Sequence, residues 1–437
     1  MKIPNRILFV VCMLAMGAVQ GQDLLSVYDL ATQHDPTLKE AKQNLESARE
    51  SKPQARAALL PNLSFRGDAG LTSRDIVNST TTREGREDYS DYALALQLSQ
   101  PIYRRDFWIQ LDQSDNQIAQ AEAEYALAEL DLMGRVIEAY FTILAAQDDL
   151  TVAKAQTEAN SRQLEQAKQR FDVGLIAITD VHEAQAAFDR SRADQIAAEN
   201  QVDDAWESLF KIVGPHPKEI AKLGEELPLS PPEPADIESW ARSAVQQNYS
   251  IIAAINAAEV ARKSIEIARS GHYPTVDLAA SYGVNRTTLD FGTDQDSAEI
   301  GLALNIPLYQ GGGVSSKVRQ AQYQYEAAKE TLDKERRSVN SDIRNAYRGV
   351  ISTMSRVNAL KAATVSSRSA LESTQAGYEV GTRTLVDVLA AQTQMFDATR
   401  NYLSSRYDYI KNGLLLKQRA SILSREDLAR VNAWLQK

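Results

Sequence analysis

Two short stretches hold the residues best placed to do chemistry. VGLIAITDV (residues 173–181) and VGTRTLVDV (residues 380–388) each set an aspartate, Asp180 or Asp387, six positions past a glycine, Gly174 or Gly381. The glycines can take the left-handed geometry that ends a helix before the chain reverses. Thr384 followed by Asp387 resembles a capping box opening the next helix. A carboxylate in that first turn gains about 0.3–1 kcal/mol from the helix macrodipole. Other chemistry is sparse. The four histidines, His34, His182, His216 and His272, lie far apart, and Cys12 is the only cysteine, so no metal site and no cofactor is expected. GGGVSSK (residues 311–317) lacks the Gly-Lys-Ser/Thr ending of a phosphate-binding loop, and neither a GxSxG elbow nor an HExxH helix occurs, so no enzyme is expected.

The composition narrows the class. The chain has 437 residues, 43% of them hydrophobic, and a net charge of −10, which argues against nucleic acid as a partner. Lys2 and Arg6 precede the apolar run ILFVVCMLAMGAV (residues 7–19), which fits a secretory signal peptide over residues 1–21. Losing Lys2 and Arg6 takes the charge from −10 to −12 and removes Cys12. No later stretch has the roughly 18 consecutive apolar residues of a membrane helix, but a β-barrel hides its membrane face in alternation.

The elements around the aspartates are written twice. The two turns are offset by 207 residues (380 − 173), as are EAYF (138–141) and NAYR (345–348). LQLSQPIYRR (96–105) matches LALNIPLYQG (302–311) at 206, superposing Pro101 on Pro307 and Tyr103 on Tyr309. HDPTLKEA (34–41) aligns with QNYSIIAA (247–254), and LLPNLSF (59–65) with HYPTVDL (272–278), both at 213, so the first copy carries a longer loop across residues 67–92. The organisation expected is a first repeat over 22–213, with strands about 62–73 and 90–103 and a helical hairpin turning near 174–179. A proline-rich linker follows over 214–234. A second repeat over 235–437 has strands about 275–288 and 297–310 and a hairpin turning near 381–384.

Period-two alternation marks the strands. Leu63 and Phe65, then Leu94, Leu96 and Leu98, then Val276, Leu278, Ala280, Tyr282 and Val284, then Ile300, Leu302 and Leu304 each alternate with mostly polar or small residues. Such strands suit either a tilted membrane strand of about 9–11 residues or a half-buried sheet in a soluble domain. In an exported chain they point to a barrel. Four strands cannot close one, since the smallest need about eight, and open edges do not sit in lipid. Several chains would have to share it, two copies giving eight strands and three giving twelve. The helices are long: from Phe107 to Phe171 there is no proline and one glycine, Gly134, a span of about 100 Å. Met133, Val136, Tyr140 and Ile143, and in the second copy Ile343, Tyr347, Val350, Met354 and Val357, recur at coiled-coil spacing.

The tandem repeat, PLYQGG (307–312), RFDVGLIAITDV (170–181) and GYEVGTRTLVDV (377–388) together resemble the TolC family of outer-membrane efflux and secretion channels, over nearly the whole mature chain. The resemblance implies a membrane β-barrel plus a long α-helical coiled-coil barrel: a homotrimer with a twelve-stranded barrel in outer-membrane lipid and a twelve-helix tube through the periplasm. It implies a passive gated duct for drugs or secreted proteins, driven by an inner-membrane RND or ABC transporter through a periplasmic adaptor protein. Carried over residue by residue, it has Tyr378 and Arg383 facing Thr179 and Asp180 as gate links, and Gln163 facing Gln375, where the family's best-known pattern has Glu. It makes Asp387 a pore selectivity ring whose second acidic ring is Ala390 here. It also places Gly174, Leu175, Gly381 and Thr382 at adaptor-contacting turns. The rival readings are a periplasmic coiled-coil adaptor, which normally shows one hairpin and an inner-membrane or lipid anchor, and an exported enzyme on a helical scaffold.

Overall fold

The computed structural model describes residues 22–78, 85–214, 219–289 and 292–436. The expected signal peptide and Cys12 lie outside the described residues, as does part of the longer loop of the first copy. The elements run α1 (Leu24–His34), α2 (Pro36–Arg49), α3 (Ser51–Ala57), β1 (Asn62–Ile76), β2 (Gly85–Tyr103), α4 (Arg105–Asp172) and α5 (Ile178–Val213). After the linker come α6 (Ile237–Gln247), α7 (Tyr249–Ser270), β3 (Thr275–Thr287), β4 (Gln295–Asn305), α8 (Gly313–Glu379), α9 (Leu385–Arg419) and α10 (Arg425–Asn432). The helices α4 and α8 reach 68 and 67 residues. Two compact units are built from this order: one from residues 1–39, 129–244 and 341–437, the other from 40–128 and 245–340.

The second of these units contains one antiparallel sheet in the order β1-β2-β3-β4, with β1 and β4 as free edges. Its register explains the alternation in the sequence. Phe65 pairs with Leu96, Leu96 with Tyr282, Leu278 with Leu302 and Ala280 with Ile300. Directly opposed residues share a face, so the apolar sets of all four strands form one surface. On the other face Ser64 pairs with Gln97, Gln97 with Ser281 and Ser281 with Glu299. The apolar surface is uncovered in the chain: Phe65 is 70% and Leu302 69% exposed. A contiguous apolar face of this kind marks contact with lipid or with another protein. β4 stops at Asn305, short of the expected 310, and Pro307 just beyond it has no N–H to offer the ladder. β2 starts at Gly85, earlier than the expected 90, and tolerates Pro101 because its register shifts between Pro101 and Tyr103.

The first unit is helical apart from short bridges in the linker. Its core includes Leu24, Val136, Tyr140, Phe141, Ile143, Leu209, Ile343 and Leu428. The Tyr140 hydroxyl donates to the Ala221 carbonyl at 2.8 Å, tying α4 to the linker, and burial pushes its acidity well below that of a free phenol. On α5 the buried positions Ala184, Ser191, Ala198 and Ala205 recur every seven residues. These small side chains let α4 reach the α5 backbone: Thr157 Oγ1 donates to Ser191 O at 2.9 Å and Asn160 Nδ2 to Ala187 O at 3.1 Å.

Asp35, 1% exposed, opens α2 by accepting from the Leu38 N–H at 2.8 Å, and the Arg135 guanidinium donates to both its oxygens at 2.9 Å. Burial pushes the Asp35 carboxyl up, but Arg135 and the Leu38 N–H outweigh it and hold it below its ordinary value. Its stabilisation is therefore present above the unfolded carboxylate value of about 3.9 and is lost as pH falls through the lowered folded value. Arg135→Met leaves a buried carboxylate without its partner and should destabilise this unit by about 3 kcal/mol. Thermal melts of the helical signal in detergent should show it, with Asp35→Asn/Arg135→Met less affected than Arg135→Met alone.

Candidate functional site

Both hairpin turns have the same build. In the first, Gly174 at φ +74° donates to Phe171 O at 2.8 Å and Leu175 donates to Arg170 O at 2.9 Å. In the second, Gly381 at φ +79° donates to Tyr378 O at 3.1 Å and Thr382 donates to Gly377 O at 2.8 Å. These paired bonds, six-to-one and five-to-two, satisfy the last carbonyls of α4 and α8. At this φ a side chain would strain the turn, so glycine is required twice. The tips are uncovered: Leu175 is 73% and Val380 75% exposed, and Thr382 is exposed beside them.

The following helices start differently. Thr384 and Asp387 form the capping box expected from the sequence: Asp387 N–H donates to Thr384 Oγ1 at 3.2 Å, and Asp387 Oδ2 accepts from Thr384 N–H and Oγ1 at 2.9 Å each. The Thr384 N–H and hydroxyl, with Arg383 nearby, hold the Asp387 carboxyl below its ordinary value. Both bonds that the carboxylate accepts from Thr384 fall on Oδ2. In the first copy the equivalent of Thr384 is Ala177 (384 − 207), which has no hydroxyl and makes no side-chain cap. Asp180 accordingly makes no capping box, and no ion pair or side-chain hydrogen bond engages it or Thr179 among the described residues.

The two turns meet within one chain. Leu164, Ala167 and Ala184 of the first hairpin pack with Leu385 of the second, and Ile176, Val181, Phe188, Tyr378 and Leu389 close around them. Further along, the buried Gln392 donates from Nε2 to Asn160 Oδ1 at 2.7 Å, joining α9 to the Asn160 that already grips α5. Among the described residues no hydrogen bond inside the chain joins Tyr378 or Arg383 to Thr179 or Asp180, or Gln163 to Gln375. Instead the Arg170 guanidinium lies over the Tyr378 ring, 5.1 Å from its centroid. Arg383 turns back across its own hairpin, its Cγ 2.8 Å from where a Cβ on Gly377 would stand. Sequence reasoning assigned no role to Arg170, Asn160 or Gln392. Asn160 could have been flagged, because it sits seven residues from both Ala153 and Ala167 on the buried seam of α4.

Among the described residues no cluster of His, Cys, Asp or Glu is placed to hold a metal ion. The arrangement brings carboxylates, hydroxyls and guanidinium groups together at two packed helical turns.

The family described as "Outer membrane efflux protein" matches the chain over residues 27–215 and again over 240–418. The outer membrane protein TolC of Vibrio cholerae serotype O1 is 37% identical over 425 residues, covering 96% of this chain and 95% of its own. The alkaline protease secretion protein AprF of Pseudomonas aeruginosa is 29% identical over 417 residues, covering 94% of this chain and 86% of its own. The CmeC outer membrane channel of Campylobacter jejuni shares the fold with a TM-score of 0.79, at 16% identity, over 96% of this chain and 91% of its own.

Proposed function

The chain belongs to the outer membrane efflux protein family, and we propose that three copies of it form a passive, gated exit duct in the outer membrane. The observation that carries the assembly is the four-stranded sheet with two free edges and an uncovered apolar face. Lipid accepts no open edge, so β1 of one copy pairs with β4 of the next, and three copies close a twelve-stranded barrel. The hairpins α4–α5 and α8–α9 of three copies supply twelve helical strands of a periplasmic tube, gated where the turns meet. Energy for transport comes from an inner-membrane pump of the RND or ABC class, reached through a periplasmic adaptor that contacts the exposed turns. Secreted proteins and drugs are the cargo classes that fit, since relatives are named for efflux and for protease secretion. The adaptor reading is set aside, because the relatives are named as outer membrane proteins and channels.

Native mass spectrometry of the detergent-purified mature protein should give a trimer. It should lose solubility when detergent is removed. A monomer that stays soluble without detergent would overturn the barrel.

A further inference from the structure

The two turns share a backbone, and one of the side chains in which they differ changes how the hairpins meet. Arg170 and Gly377 are equivalent positions of the repeat (377 − 170 = 207), and their carbonyls accept the same turn-closing bond. Gly377 leaves room for Arg383, which a Cβ would crowd at 2.8 Å. Arg170 instead reaches out of its own hairpin and covers the Tyr378 ring of the other, whose body packs beside Leu164, Ala167 and Leu385.

We propose that Arg170 is a positioning residue of the gate, which fastens the second hairpin to the first within each protomer by stacking on Tyr378. This rests on the gated-duct reading. Tyr378 then serves through its ring, and its hydroxyl is secondary. The guanidinium is suited to the task because it is planar, permanently charged and weakly hydrated, so it covers an aromatic face at little desolvation cost. Ten residues along α4 from Arg170, the buried Gln392–Asn160–Ala187 relay fastens the same hairpins again. That upper joint is closed to water and costly to part, whereas the stack at the half-buried tip is the joint that opens reversibly.

The test is single-channel recording in planar bilayers of R170A, R170K, Y378L, Y378F, R170A/Y378L and the reference Y378F/R383S, each first shown to assemble in wild-type amounts. R170A and Y378L should each raise the open-state population about tenfold, shared among three copies of a partly exposed cation–π contact. R170K should recover part of the closure, and Y378F, which keeps the ring, should stay close to wild type. R170A/Y378L should open no further than either single change, since both remove one contact. Wild-type behaviour of R170A and Y378L beside an open Y378F/R383S overturns the stack and leaves the gate reading standing. Y378F opening as fully as Y378L overturns the assignment to the ring. Wild-type behaviour of every variant, the reference included, overturns the gate reading itself.

Discussion

Tyr378→Phe combined with Arg383→Ser should shift the reconstituted duct towards its open state and raise its conductance. Asp180 is the proposed acceptor for this link: it lies in the first turn of α5, is half-buried, and is not drawn into a capping box as Asp387 is. A guanidinium from a neighbouring copy can therefore bond to it and to the Thr179 hydroxyl, a charge-assisted contact. Exposure to water lowers the worth of each such link to about 0.5 kcal/mol. Three-fold symmetry triples it, so the closed state loses roughly tenfold in population when all three are cut. The measurement is single-channel conductance in planar bilayers at low and high salt. High salt should narrow the difference between variant and wild type, because it screens the links in the wild type. Equal conductance at both salts would remove Arg383 and the Tyr378 hydroxyl from the gate.

Asp387→Asn should weaken block by a trivalent cation by roughly an order of magnitude, because it removes every carboxylate of the proposed ring. The capping box makes the alternative explicit, since Asp387 also fixes the start of α9 through Thr384. Thr384→Ala separates the two roles: it removes the hydroxyl cap and keeps the charge, so it should cost some helix stability and leave block intact. Ala390→Asp adds a carboxylate three residues on, one turn along the same face of α9, and should block most strongly. The expected order is Ala390→Asp, then wild type and Thr384→Ala together, then Asp387→Asn. The hydrogen bonds from Thr384 hold the Asp387 carboxyl below its ordinary value, so block should persist to low pH and vanish as pH falls through that lowered value. Three carboxylates crowded about one axis push the other way. Loss of block starting well above pH ~4 would then report how tightly the ring is drawn together. Unchanged selectivity in Asp387→Asn would leave the residue its capping role alone.

What the sequence determined by itself is what depends on near neighbours along the chain. Alternation every second residue announced the strands. Gly174 and Gly381 marked two turns that need a left-handed residue, and the four-residue spelling of Thr384 to Asp387 announced the capping box that closes at 2.9 and 3.2 Å. Each of these is set within a few bonds, where backbone sterics and local hydrogen bonds decide the outcome. The ends of strands were less legible, because a proline such as Pro101 can be absorbed by a register shift that only the partner strand reveals. The tertiary structure alone decided which side chains meet. Arg170 reaches Tyr378 across 208 positions of chain (378 − 170), Gln392 reaches Asn160 across 232, and Arg135 reaches Asp35 across 100. No periodicity encodes such pairs. They exist because small residues on α5 let α4 come close, because the apolar cluster around Leu385 draws the two turns together, and because a buried charge such as Asp35 must find its partner wherever the fold brings one.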